Sequence, residues 1–251
     1  MPANQRTPPA GNLSLLAKGT VEILGRMPWS SNHTFLIGCE LAGSTCEAVY
    51  KPMAGERPLH DFHQGLGKRE AAAYELSEAL GWGLVPETIW REDAPLGPGS
   101  MQRLVDADYS EHYFTMIEDP KHHAALRKIA AFDVVANNAD RKSGHCLLGG
   151  DGRIWAIDHG LCFHRQPKLR TVIWDFAGEE LPEDVAEDLA ALADAGHTAL
   201  LELSSALLDA SEVRAMQERL SRLLTAGQLP SPAIDPDDQS SSWRYYPWPL
   251  V

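Results

Sequence analysis

Short apolar runs separated by Gly, Pro and Asn dominate the first part of the chain, and a helical spacing replaces them further on. Apolar and β-branched runs of this length are typical of strands. The predicted strands span residues 17–24, 34–41, 45–51, 84–90 and 100–105. The second and third are joined at Ala42, Gly43 and Ser44, and Pro52 ends the third because proline has no backbone N–H for the ladder.

Apolar residues three or four apart predict helices over residues 68–80, 119–137 and 183–224. Gly81 is a natural C-cap for the first, and the last is expected to break near Asp209. The resulting order is β-β-β-α-β-β followed by helices. This order predicts a sheet with one packed helix that leads into a helical half.

A short β-hairpin is predicted between these helices, from residues 146–148 and 153–157 joined by a glycine-rich turn. In an antiparallel hairpin the start of the first strand lies beside the end of the second. His145 and Asp158 therefore converge at one end, and Asp140 lies in the loop just before. A metal site beside a catalytic carboxylate is the natural interpretation, with phosphoryl transfer as the leading chemistry.

Composition narrows the classes of function. With 251 residues, the chain is long enough for one substantial core or for two small lobes that share a cleft. A net charge of −13 argues against nucleic-acid binding, which needs a basic surface. No apolar run is long enough to span a membrane and the N-terminus has no export signal, so we expect a cytoplasmic protein. The four cysteines form no CxxC pair, which favours buried thiols.

Phosphoryl transfer needs a cation on the nucleotide phosphates, acidic metal ligands and a group that orients the acceptor hydroxyl. Lys51 ends a predicted strand and is a candidate for the cation, with Glu70 of the next helix as its ion-pair partner. The alternatives are a solvent-exposed lysine and a glutamate that only complements the helix dipole. The loop that holds Ser30, Ser31 and Asn32 is a weaker candidate for contacts with the phosphates, because it lacks a glycine-rich signature.

The segment around the hairpin is the stronger signal. Asp140 is expected to accept or orient the acceptor hydroxyl, and Lys142 to face the transferred phosphate. His145 and Asp158 are expected to bind the metal. The alternative is a charged surface hairpin with Arg141 and Lys142 solvated, which does not explain why acidic residues gather beside apolar strands.

Four stretches, AVYKP, KREAAAYELSEALG, NNADRKSGH and AIDHG, resemble the phosphatidylinositol 3/4-kinase-like superfamily. The similarity is to its compact bacterial members and to the type II phosphatidylinositol 4-kinase and HipA-like branches. The resemblance implies ATP and Mg²⁺ or Mn²⁺ as cofactors. It makes Lys51 the phosphate-binding lysine, Asp140 the catalytic aspartate and Asp158 the main metal ligand, with Glu70 as a partner of the lysine.

The resemblance also implies a two-lobed α+β protein-kinase-like fold. Its N-lobe, over residues 13–106, holds an antiparallel sheet with one helix; its C-lobe, over residues 107–226, is mainly helical and carries the catalytic β-hairpin. Residues 1–12 are expected to be disordered, and residues 227–251 form a Pro-rich tail whose aromatic end either packs on its own domain or recruits a partner. The adenine is expected between the lobes, near residues 101–105.

Two positions depart from the family pattern. His145 stands where these families carry a metal-binding Asn, and imidazole suits Mn²⁺ better than Mg²⁺. The hypothesis is that the site works best with Mn²⁺, or that His145 only touches phosphate. Lys142 stands where the lipid kinases often carry His, which weakens the case for a lipid substrate. Cations within residues 161–170 are expected to bind an anionic acceptor, a phosphoinositide headgroup or an acidic peptide.

Together these features predict an ATP-dependent phosphotransferase that acts on a hydroxyl acceptor, either a phosphoinositide or a protein or small molecule. The alternatives are a nucleotide-binding pseudokinase that serves as a regulatory module, and an AMP transferase on a kinase fold. A nuclease or hydrolase built on Asp140, His145 and Asp158 is a further alternative. No membrane insertion and no nucleic-acid partner are expected.

Overall fold

A computed structural model of the chain describes residues 11–28, 32–195, 206–232 and 245–250. The strands within these residues are β1 (Thr20–Arg26), β2 (Phe35–Leu41), β3 (Ser44–Pro52), β4 (Thr88–Arg91), β5 (Gly99–Arg103), β6 (Ala107–Asp108), β7 (Cys146–Gly149) and β8 (Ile154–Ala156). The α-helices within them are α1 (Asn12–Lys18), α2 (Leu66–Ala79), α3 (Tyr113–Met116), α4 (His123–Ala136), α5 (Glu183–Asp194) and α6 (Ala210–Ala226). They form the expected α+β arrangement, a sheet-based N-lobe followed by a mainly helical C-lobe.

The N-lobe sheet has the strand order β1-β2-β3-β5-β4, with every neighbouring pair antiparallel. Ala42 and Gly43 turn the β2–β3 hairpin with φ angles of 52° and 80°, the left-handed pair that a two-residue hairpin turn requires. One face of the sheet is apolar and is covered by α1. The buried residues of this layer are Leu15, Leu16, Ile37, Cys39, Ala48, Tyr50 and Met101.

The other face of the sheet packs against α2. Gly67, near the start of this helix, makes the approach close, because a Cβ at Gly67 would lie 2.9 Å from the backbone nitrogen of Ser100. The side chain of Ser100 in turn donates a hydrogen bond of 3.1 Å to Glu70. The small residue at the contact therefore brings the Glu70 carboxylate against the sheet, at the end of β3.

The N-terminal segment differs from its prediction. A strand was expected over residues 17–24, but α1 extends to Lys18 and β1 begins at Thr20. Leu15 and Leu16 are both buried, and burial against the sheet stabilises a helix of only seven residues that is too short to persist alone. Residues 1–10, most of the segment expected to be disordered, lie outside the described residues.

The C-lobe is built around α4, which a 3₁₀ turn at Pro120–His122 precedes. The single helix expected over residues 119–137 is therefore two pieces. The predicted hairpin is present as β7 and β8, and β6 pairs with β7 to make a three-stranded sheet. Strand β6 and helix α3 were not predicted, because elements of two and four residues carry no periodicity.

The last described residues pack on the C-lobe rather than away from it. The carbonyl of Tyr245 accepts hydrogen bonds from the backbone of Thr171 and from the Trp174 indole, at 3.0 and 3.1 Å. The carbonyl of Leu250 accepts one of 2.9 Å from the backbone N–H of Ser143. Trp248, however, is 87% exposed. Within the described part of the chain, no helix combines the length and apolar character needed to cross a membrane.

Candidate active site

Lys51 lies at the end of β3 and forms two ion pairs in the cleft between the lobes. Its Nζ is 2.6 Å from Glu70 Oε1 and 3.0 Å from Asp158 Oδ1. Glu70 is almost fully buried on α2, where Ser100 holds its second oxygen. The contact expected between Lys51 and Glu70 is therefore present. Through Lys51, it joins the sheet, helix α2 and Asp158 in one cluster.

Lys51 and Asp158 each stabilise the charged form of the other. Burial alone lowers the pKa of Lys51, but the carboxylates of Asp158 and Glu70 more than offset this and raise it above its ordinary value. The Lys51 ammonium in turn lowers the pKa of Asp158 well below its usual range, against the opposing effect of burial. At neutral pH the lysine is therefore a cation and Asp158 an anion, the states that phosphate and metal binding require.

Asp158 and His145 meet at the end of the hairpin, as the strand register predicted. Asp158 follows β8 with a φ of 60°, a left-handed conformation that aspartate tolerates better than most residues. The Nε2 atom of His145 lies 3.4 Å from Asp158 Oδ2. The other ring nitrogen, Nδ1, lies 2.9 Å from the backbone carbonyl of Asp140, so we assign its proton there.

That tautomer leaves the Nε2 lone pair facing a carboxylate oxygen. Burial lowers the pKa of His145 to about 4, so the ring is neutral at physiological pH and no proton bridges the two atoms. Two lone-pair donors that face each other, with the imidazole oriented through its second nitrogen, are the arrangement of a metal ligand pair. The residues present thus fit a divalent cation. No group of three His, Cys, Asp or Glu ligands occurs in the described ranges, so phosphate oxygens and water would complete the shell.

Asp140 lies in the loop between α4 and the hairpin. Its backbone N–H donates to the side chain of Asn138 at 2.9 Å, and its carboxylate lies 3.3 Å from the Lys142 ammonium. Burial raises the pKa of Asp140 to about 6, with Lys142 opposing the shift. The carboxylate is therefore a stronger base than an exposed aspartate, while still ionised at pH 7. Lys142, predicted to face a phosphate, is held beside this carboxylate.

Arg141 was expected to be solvated if the segment were only a charged surface hairpin. It is instead fully buried, and so is Asp133, with which it forms a two-pronged ion pair of 2.8 and 2.9 Å. The remaining guanidinium hydrogen bonds go to the carbonyls of His145 and Ile157 and to the ring of His159. Arg141 thus holds both strands of the hairpin and the segment after Asp158 onto α4.

Asn137 and Asn138 also have positioning contacts that the motif alone did not reveal. Asn138 donates to Asp133 Oδ1 at 3.0 Å. Asn137 ends α4 with a φ of 54° and donates to the carbonyls of His164 and Gln166 at 2.8 and 2.7 Å. The pair therefore orients the Asp140 loop on one side and residues 164–166 on the other. The sequence held one signal of these contacts, because Asp133 is a charged residue within the apolar stripe of the predicted helix.

A cleft of about 310 Å³ joins these groups. Its lining includes Asn32, Lys51, Glu70, Asp140 and Asp158. Ser30 and Ser31 lie outside the described residues. Residues 101–105, where the adenine was expected, do not belong to this lining; Met101 faces the opposite side of the sheet and is buried beneath α1.

The cations expected to bind an anionic acceptor are not all available. Lys168 forms an ion pair of 2.7 Å with Asp61, and the two side chains are 15% and 24% exposed. Arg165 is exposed on the surface. Within residues 161–170, Lys168 therefore holds the loop that contains Asp61.

The sheet-based N-lobe and the helical C-lobe together have a kinase-like fold. Three solved structures resemble the chain over most of its length. The Golgi casein kinase with Mn and ADP bound is 15% identical, with a TM-score of 0.55, and the match covers 85% of this chain and 74% of that one. The Helicobacter pylori proinflammatory kinase CtkA is 11% identical, with a TM-score of 0.54 and coverages of 85% and 94%. Hydra Fam20 with sugar is 14% identical, with a TM-score of 0.54 and coverages of 84% and 86%.

The chain belongs to the family of Protein Rv2133c of Mycobacterium tuberculosis. The two are 38% identical over an alignment of 270 residues that covers 94% of each chain. No protein-family model matches the sequence. The expected kinase-like fold is thus confirmed, whereas membership of the phosphatidylinositol 3/4-kinase-like superfamily stays a prediction.

Proposed function

We propose that this protein is an ATP-dependent phosphotransferase that transfers the γ-phosphate to a hydroxyl acceptor. The observation that carries the proposal is the convergence of Lys51, Glu70, Asp158 and Asp140 on one cleft. These residues come from a strand, a helix and two loops. Burial of charged groups costs desolvation free energy, and clusters with perturbed pKa values are found preferentially at functional sites.

Each residue has a distinct role in this proposal. Lys51 binds the phosphates of ATP, and Glu70 holds its side chain in that direction. Asn32, whose side chain accepts a hydrogen bond of 3.1 Å from the backbone of Arg57, lines the cleft and, with Ser30 and Ser31, contacts the phosphates in this proposal. A bound metal would neutralise charge on the phosphates.

Asp158 and His145 hold that metal. Oxygen-rich sites suit Mg²⁺, whereas a site with one imidazole favours Mn²⁺. The neutral ring of His145, oriented by the carbonyl of Asp140, supports a preference for Mn²⁺. The Golgi casein kinase structure with Mn and ADP bound shows that a protein of this fold accepts the same metal.

Asp140 is the general base. Its raised pKa of about 6 places it near the operating pH, where a base combines ionisation with proton affinity. Lys142 lies within reach of the same carboxylate and stabilises the charge that develops on the transferred group. Kinship with the phosphatidylinositol 3/4-kinase-like superfamily, and a cytoplasmic site of action, belong to the proposal as predictions from the sequence.

Labelled ATP tests this function. The protein is incubated with γ- or α-labelled ATP and Mn²⁺ or Mg²⁺, beside Asp158→Asn and Asp140→Asn. Label from the γ position in an acceptor, absent in both variants, supports phosphoryl transfer. Label from the α position identifies an AMP transferase. Metal-dependent ATP binding with transfer of neither label identifies a pseudokinase and overturns the proposal.

A further inference from the structure

Beyond the candidate phosphate-binding residues, the lining of the cleft includes apolar side chains. Leu59, Leu66 and Leu161 line the same cleft as Asp140 and Asp158, and together they are called the leucine wall. Leu66 and Leu161 also pack with Phe62 and Ala139 in a small buried cluster. Ala139 directly precedes Asp140 in the chain, so the wall has a set position relative to the catalytic carboxylate.

The loop that carries Leu59 is anchored at several points. Glu56 accepts a hydrogen bond of 2.8 Å from the backbone N–H of Gly65, just before α2. Asp61 forms its ion pair with Lys168, and Phe62 is buried. These contacts join the loop to both lobes. The wall is therefore preformed, which favours the binding of a ligand of defined shape.

The charges around the wall do not suit a polyanionic acceptor. Lys168 is paired with Asp61, and Lys51 is paired with Glu70 and Asp158. Arg57 is an exposed cation that lines the cleft, but it lies next to Glu56 in a cleft that also holds three other carboxylates. A phosphoinositide headgroup needs several unpaired cations. Among the described residues that line the cleft there is no further lysine or arginine, whereas three are leucines.

The size of the cleft also suits a small acceptor. Its volume of about 310 Å³ lies at the lower end of small-molecule sites, and the phosphates of ATP occupy part of it. A compact ligand of a few heavy atoms fits the space that remains.

Given the phosphotransferase activity proposed above, on which this inference rests, we infer that the acceptor is a small uncharged alcohol with an alkyl or aryl group. Its apolar part packs on the leucine wall and its hydroxyl lies beside Asp140. The hydroxyl proton passes to the Asp140 carboxylate as the acceptor oxygen bonds to the γ-phosphorus. The bond from that phosphorus to the β,γ-bridging oxygen breaks, and its electron pair leaves with ADP. The products are ADP and a phosphate monoester.

Alcohols of graded polarity test this inference. Transfer from γ-labelled ATP is measured to benzyl alcohol and 1-hexanol, and to glycerol and myo-inositol. We expect kcat/KM to be at least about tenfold higher for the apolar pair, since a few buried methylenes give a discrimination of that order. Equal or better transfer to the polyols overturns the inference. Label that enters only a serine peptide or phosphatidylinositol vesicles overturns it as well.

A matched pair of variants locates the effect. Leu59 and Leu96 are 40% and 42% exposed, so neither substitution to Asn removes a core side chain. Leu96 lies in the turn between β4 and β5. Leu59→Asn should raise the KM for benzyl alcohol by about tenfold, with a smaller change in the KM for ATP, whereas Leu96→Asn should change neither. Equal effects of the two variants contradict the inference.

Direct binding separates failure of this inference from failure of the proposed function. Saturation-transfer NMR measures benzyl alcohol on the unmodified protein and on Leu59→Asn. If benzyl alcohol binds and Leu59→Asn weakens the binding, but no acceptor takes label, the apolar site stands and the phosphotransferase proposal fails. If benzyl alcohol neither binds nor takes label, the inference is wrong.

Discussion

The guanidinium of Arg141 donates to both carboxylate oxygens of Asp133, at 2.8 and 2.9 Å, and neither side chain is exposed to solvent. Burial of an ion pair costs desolvation free energy. Here the two-pronged contact offsets that cost, together with further hydrogen bonds from the guanidinium to the hairpin carbonyls. The pair joins α4 to the hairpin that carries the candidate metal ligands. Stability and site geometry therefore depend on the same contact.

Removal of one partner should be strongly destabilising. Arg141→Met leaves the Asp133 carboxylate buried without its cation, and we expect the free energy of unfolding to fall by about 3–5 kcal/mol. Urea denaturation followed by circular dichroism measures this. Arg165→Met, at an exposed arginine, is the control and should change it by less than about 0.5 kcal/mol. A comparable loss in both variants would show that the pair has no special role.

Activity should rise with pH through the raised pKa of Asp140. Transfer needs the ionised carboxylate, and burial holds its pKa at about 6, so kcat/KM should increase from pH 5 to 7 and then level. The pH–rate profile of the free enzyme measures this. A profile that is flat from pH 5 to 8 would exclude Asp140 as the base.

Ionisation of Asp140 should destabilise the folded protein above about pH 6. The pKa of Asp140 is higher in the folded protein than the ordinary 3.8. The contribution of this group to the free energy of unfolding is therefore most favourable below about pH 4, and it is lost as the pH rises through about 6. Asp140→Asn should therefore stabilise the protein by about 1–3 kcal/mol at pH 8, and by much less at pH 4, while abolishing transfer. Thermal unfolding at the two pH values checks the difference, and a gain that does not depend on pH would contradict it.

Loss of the Lys51 ammonium should impair transfer far more than loss of a nearby lysine. Lys51→Met removes the charge on the phosphates and leaves Glu70 and Asp158 without their shared cation, so kcat/KM for ATP should fall by about 100-fold or more. Lys68→Met is the matched control in α2, where the ammonium lies 5.3 Å from the centre of the Trp90 ring. Similar losses in the two variants would argue against a phosphate role for Lys51.

His145→Asn should change the preferred metal. An amide oxygen is a better ligand for Mg²⁺ than imidazole, so the ratio of activity with Mn²⁺ to activity with Mg²⁺ should fall by about tenfold. Titration of each metal at saturating ATP gives the ratio. His164→Asn, outside the hairpin, is the control. Full activity of the unmodified protein with Mg²⁺, together with an unchanged ratio in His145→Asn, would contradict the prediction.

The contacts of the last described residues should support the catalytic loop. Trp174→Phe removes the indole hydrogen bond to the carbonyl of Tyr245, beside the backbone contact between Leu250 and Ser143. We expect kcat to fall about threefold to tenfold while the KM for ATP changes little, because loop placement and nucleotide binding are separate. Trp248→Phe, at a side chain that is 87% exposed, should have no effect. Equal kinetics in both variants would show that the tail only covers the surface.

Local patterns were sufficient for the part of the site that depends on short-range geometry. The hairpin register brings His145 beside Asp158 because antiparallel pairing places strand ends side by side. Lys51 at a strand end and Glu70 in the next helix needed only the packing of one helix on one sheet. The strands and helices around them were also largely predictable, although their ends differ by a few residues.

Long-range contacts decided the rest. Arg141 and Asp133 are eight residues apart and belong to segments with different periodicity, so only the packing of the hairpin on α4 turns two charged residues into a buried pair. The pairing of Lys168 with Asp61 joins positions 107 residues apart and removes a cation that the local sequence offered to an acceptor. The leucine wall likewise collects residues from a loop, a helix and the segment after Asp158.

The chain alone therefore determined the chemistry available, namely two aspartates, a histidine and a lysine at defined strand and helix ends. Burial determined the state of those groups. The raised pKa of Asp140, the neutral ring of His145 and the apolar surface beside them arise from desolvation and from neighbours distant in sequence. Desolvation depends on everything packed around a group, and a linear pattern does not contain that information.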